Sequence, residues 1–181
     1  MKMQGFAERY RAWSALQAIT ICVVVAGTLD ISEALIFYWI RGTSPLLLLQ
    51  VIASGVLGPP ALHGGVPVAL AGLGIHYLIT SIWVTLFFLV SARFPLICRY
   101  PAASGTLYGL VIYVVMNFVV LPRSRFIGHH SFRIPVFPNA VLALVFCMGL
   151  PIAYFSWAYF ARGYPRRAIS QTGPERGSAA R

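Results

Sequence analysis

The sequence predicts an all-α, polytopic membrane protein with four spanning helices and one short apolar helix. Three observations carry that prediction. First, 59% of the 181 residues are hydrophobic and only 10% are charged, whereas ordinary soluble domains carry about 25% charged residues. A soluble chain of this length could not hide so much apolar surface in one core, and the mean hydropathy of +0.77 agrees. Second, four apolar segments reach the roughly 20 residues that a spanning helix needs: Trp13–Ile40, Val66–Val90, Ala102–Leu121 and Ala140–Ala161. Third, the basic residues gather at the ends of these segments and in the C-terminal tail, as membrane flanks do. The net charge of +10 would suggest nucleic acid in a soluble chain, but no folded basic module is present. The expected partner is the lipid bilayer, together with a second copy or a membrane-complex partner, and not nucleic acid.

The first segment competes with a signal-peptide reading. Met1–Arg11 is basic, and Val24-Val25-Ala26 could pass as a cleavage site. The apolar stretch nevertheless runs on to Ile40, which favours a spanning helix. A shorter run follows, Pro45–Leu57. Ser44 can cap it, Pro45 fits its first turn, and Gly58-Pro59-Pro60 ends it. At 1.5 Å per residue it reaches about 20 Å, too short to cross. It is apolar nearly all round, with only Gln50 and Ser54 as polar breaks, so a re-entrant or interfacial helix is expected.

Lys and Arg counts set the expected orientation. Lys2, Arg9, Arg11, Arg93, Arg99 and the five arginines from Arg162 onward fall on one side. Arg41, Arg123, Arg125 and Arg133 fall on the other. This favours cytoplasmic N- and C-termini. The tail, residues 162–181, is rich in Arg, Gly, Ser and Pro and reads as disordered. The rest, residues 1–161, forms the membrane domain. A faint echo links Ala26-Gly27-Thr28-Leu29 with Ser104-Gly105-Thr106-Leu107, and Val66-Pro67-Val68 with Ile134-Pro135-Val136. Both pairs occupy like places in two helix-pair halves, which suggests a parallel repeat.

Asp30 and Glu33 carry the functional signal. The chain has four acidic residues, and these are the two that lie within an apolar segment. A charge at a membrane helix centre costs roughly 2.5–3.5 kcal/mol, so such residues face protein or a watery cavity. Three apart, they share one helix face with Gly27, Ala26 and Ala34. Small residues mark contact between membrane helices, so the acids point inward. Each remaining spanning helix has its own small-and-polar stripe: Gly72, His76 and Thr80; Gly105, Gly109, Tyr113 and Asn117; Asn139, Ala143, Cys147 and Pro151.

Counting from the outer helix ends at 1.5 Å per residue places Asp30 and His76 about 15 Å deep, with Glu33, Tyr113 and Cys147 near 10–12 Å. The buried polar site is therefore Asp30, Glu33, His76, Tyr113 and Cys147, with Gly27, Gly72, Gly105 and Gly109 as packing positions. A His beside two carboxylates is a protonatable set. One reading is a hydrogen-bond network that only holds the bundle, with Asp30 paired to His76. Interhelical polar contacts average only about 0.6 kcal/mol, which barely offsets placing carboxylates in a membrane and favours a working site.

Three function classes follow: a small transport or permeation protein using that site, a non-catalytic accessory or structural subunit, and a membrane enzyme or metal-handling protein. No GxSxG, P-loop or Rossmann fingerprint occurs, and no ligand pair has a spacing such as HExxH. His63, His129 and His130 lie in loops. Cys22, Cys98 and Cys147 fall on separate segments without CxxC spacing. No catalytic residue, metal or cofactor is therefore assigned.

Gly27-Thr28-Leu29-Asp30, Arg41-Gly42-Thr43-Ser44-Pro45, the run from Gln50 to Gly58, Gly64-Gly65 and His76 resemble a set of small bacterial four-helix integral membrane proteins without assigned chemistry. More distantly, the layout is similar to YagU-like inner-membrane proteins. The resemblance spans Gly27 to Tyr159. It implies four helices and a bacterial inner-membrane location, and gives no residue a catalytic role.

Overall fold

A computed structural model describes residues 14–125 and 137–163. The N-terminal basic segment, the Ile134-Pro135-Val136 half of the repeat, His129, His130, Arg133 and nearly all of the tail lie outside the described residues.

Helix α1 is Ala15–Ile40. It begins where Ser14 and Gln17 form a capping box: Ser14 Oγ accepts from the Gln17 N–H at 3.2 Å, and Gln17 Oε1 accepts from the Ser14 N–H at 3.0 Å. It ends in a Schellman motif. The Gly42 and Thr43 N–H groups each donate at 2.9 Å, to Trp39 and Tyr38, and Gly42 has φ 87°. Helix α2 is Pro45–Leu57, with Ser44 Oγ accepting from the Leu47 N–H at 3.2 Å. Gly58, at φ 79°, turns the chain into the 3₁₀ turn Pro59–His63. Helix α3 is Gly65–Arg93, followed by a one-turn helix, Leu96–Arg99.

Helix α4 runs Pro101–Arg123 and α5 runs from Phe137 to Gly163. Each contains a π turn, Met116–Val120 in α4 and Leu144–Gly149 in α5. The cause is the same in both. Pro122 and Pro151 lack an N–H, and their rings would strike the carbonyl four residues back. The preceding leucine therefore donates five residues back, Leu121 to Met116 and Leu150 to Val145. The turn widens before each proline without breaking the helix.

Helices α1, α3, α4 and α5 are long and apolar enough to cross a membrane, and α2 is not. The chain is a multi-pass membrane protein, and the bounds differ from the expected ones by up to three residues. Helix α1 packs on α3 and α5, α4 packs on α5, and α2 packs along α3. Glycines set the closest approaches. A Cβ on Gly109 would lie 2.6 Å from Val145 Cα, and one on Gly105 2.8 Å from the Gly149 carbonyl oxygen. A Cβ on Gly72 would strike the Leu49 carbonyl, so this glycine seats α2 and not a spanning helix. Arg125 N–H donates to the Gly55 carbonyl at 3.0 Å, tying the end of α4 to α2.

The apolar core lies in the half of the bundle where α1 begins and α3 ends. Ala18, Cys22 and Ala26 of α1 meet Val84, Phe87 and Phe88 of α3, Ile112 of α4, and Met148, Ile152 and Ala153 of α5. Tyr108 of α4 closes this half, its hydroxyl donating to the Trp83 carbonyl at 2.6 Å and its ring 4.7 Å from Phe87.

Candidate functional site

The polar residues occupy the other half, toward α2. Asp30 lies ten residues before the end of α1 and His76 eleven after the start of α3. At 1.5 Å per residue both are about 15 Å from that end. Gly27 lets α3 approach: its missing Cβ would lie 2.8 Å from the Tyr77 ring and 3.4 Å from Thr80 Cγ2. Two bonds then join the helices. His76 Nε2 meets the Gly27 carbonyl at 2.9 Å, and Thr28 Oγ1 meets the Tyr77 hydroxyl at 2.8 Å. A carbonyl can only accept, so Nε2 carries a proton.

The pairing considered from sequence, His76 with Asp30, is thus not the hydrogen bond that forms. Depth counting places two residues level but does not fix their rotation, and the imidazole reaches the backbone one turn before the acid. Asp30 remains an electrostatic neighbour of His76 and of Glu33. Among the described residues its carboxylate accepts no hydrogen bond. Glu33 differs, because Asn139 Nδ2 donates to its Oε1 at 2.8 Å and links α1 to the first turn of α5. Cys147 of α5 lies within electrostatic reach of both acids.

The layer therefore gathers Asp30, Glu33, His76 and Cys147 from three helices. Tyr113 stands on α4, half-buried, with its carbonyl accepting from Asn117 Nδ2 at 2.9 Å. Helix α4 is held chiefly by α5. All these side chains keep partial exposure, whereas Cys22, Ala26, Val84 and Ile152 in the opposite half are at most 1% exposed. Gln50 is buried on α2 and donates from Nε2 to the Gly65 carbonyl at 3.0 Å, anchoring the short helix above this layer.

Two participants escaped the sequence-based site. Asn139 is on the same stripe as Cys147, and that stripe was the signal available. Tyr77 is adjacent to His76 and had no signal beyond its hydroxyl. Among the described residues no group of three or more His, Cys, Asp or Glu side chains is placed to hold a metal ion. Comparison with family models, with curated proteins and with solved structures gives no match to this chain.

Proposed function

We propose that the chain is a small transport or permeation protein of a bacterial inner membrane, with both termini cytoplasmic and Asp30 as its proton-exchanging group. The observation that supports this is the contrast between neighbours. Glu33 and His76 each have a fixed hydrogen-bond partner, while Asp30, between them, accepts none among the described residues. A network serving only to hold helices together would use its deepest carboxylate as an acceptor, and here that carboxylate is left partly exposed instead. A carboxylate that lies beside an imidazole, partly exposed and with no fixed donor among the described residues, can take up and release a proton.

A second reading, a structural or accessory subunit, is favoured by the same bonds that lock α1 to α3 and α5. One experiment separates the two. Protein reconstituted in liposomes is given a pH gradient, and internal pH is followed with a trapped dye. The transport reading expects Asp30→Asn to insert normally and to abolish pH-dependent flux. Wild-type flux in Asp30→Asn, with lowered expression in Asp30→Leu, would make the carboxylate structural.

A further inference from the structure

We infer that Asn139 is the positioning residue of the polar layer, holding Glu33 so that Asp30 alone exchanges the proton. The inference rests on the reading above only in taking Asp30 as the exchanging acid. Two carboxylates three residues apart on one helix are otherwise near-equivalent, and a proton offered to such a pair belongs to both. Something must make them different. Here the difference is Asn139, whose Nδ2 donates to Glu33 Oε1 at 2.8 Å across 106 residues of sequence. Its place supports the role. It stands in the first turn of α5, where backbone N–H groups have no partner within the helix and favour a negative group.

The groups facing the two acids are asymmetric as well. Asp30 meets Glu33 on its own helix, His76 on α3 and Cys147 on α5. Glu33 also has Tyr38 as a neighbour on α1, with Arg41 beyond it. Helix α2 brings no ionisable side chain to this end of α1. Glu33 is thus held by a neutral amide, and Asp30 lies deeper on the helix, with His76 and Cys147 as its neighbours from the other helices.

Infrared spectroscopy of the purified full-length protein in lipid nanodiscs, titrated through neutral pH, tests this without requiring any flux. The pH-dependent carboxyl C=O band of the wild type should vanish in Asp30→Asn and persist at full amplitude in Glu33→Gln, which keeps an acceptor for Asn139. In Asn139→Leu, of similar size but without the donor, and in Asn139→Ala, the two acids should share the proton. Glu33→Gln in those backgrounds should then remove about half of the band, and Asn139→Gln should restore the wild-type assignment. A wild-type band that Glu33→Gln already diminishes, a band absent at every pH, or an assignment unmoved by the Asn139 variants would each overturn the inference. The Glu33→Gln arm leaves Asn139 untouched, so misfolding of an Asn139 variant does not shelter the idea. If the band behaves as expected while liposomes show no flux, transport fails and the positioning role stands. Flux with a shared wild-type band has the opposite meaning.

Discussion

The two halves of helix α1 are built on opposite rules. In the first half, Ala18, Cys22 and Ala26 recur every four residues and are buried to 1% exposure or less. In the second half, the same face carries Asp30, with Glu33 beside it, and both stay partly exposed. Small apolar side chains let α3 and α5 close on α1 and seal the bundle. Carboxylates need more room, so the helices that meet at Val84 and Ile152 leave the acids partly exposed near Asn139. The protein thus has one closed half and one polar half along the same helices.

The contrast can be broken most severely at the closed contact between α4 and α5. Gly109→Leu would drive a side chain into the Val145 backbone, where no rotamer change makes space. Overpacking costs about 1–3 kcal/mol in cores that can adjust, so a loss of at least about 2 kcal/mol is expected here, read as a lower thermal midpoint in detergent. Gly72→Val should act locally. It collides with the Leu49 carbonyl and lifts α2 from α3, leaving the four spanning helices in place. Limited proteolysis should then cut near Pro59–His63 at least several-fold faster, while cleavage elsewhere is unchanged.

The smallest effect is expected at the polar helix contact. Tyr77→Phe removes the hydroxyl that meets Thr28 at 2.8 Å, and interhelical polar bonds average about 0.6 kcal/mol in membranes. A loss above about 2 kcal/mol would mean that the polar half carries the fold, contrary to the division drawn above.

The sequence made some of this legible and not the rest, for physical reasons. Helix α2 could be bounded from Ser44, Pro45 and Gly58 because caps and prolines act locally. The close approach of α4 followed from Gly105 and Gly109, since paired glycines have little other use in a spanning helix. The level of Asp30 and His76 followed from rise per residue. The partners of His76 and Glu33 did not, because a hydrogen bond depends on helix rotation as well as depth. The π turns were hidden for a related reason. Leu121-Pro122 and Leu150-Pro151 signal a disturbed helix, but not whether it kinks, breaks or widens. That widening breaks the four-residue stripe of Asn139, Ala143, Cys147 and Pro151, because Cys147 lies within the π turn.

Native cysteines allow the central claim to be tested directly, with Cys98→Ser removing the third thiol. Cys22 is in the closed half at 0% exposure, and Cys147 is in the polar half and partly exposed. The protein in lipid vesicles is treated with a small, membrane-impermeant thiol reagent, and modification is followed by intact mass. The account predicts modification of Cys147 from the side that carries α2 and protection of Cys22 from either side. Modification of Cys22, or full protection of Cys147, would contradict a bundle sealed in one half and partly exposed in the other.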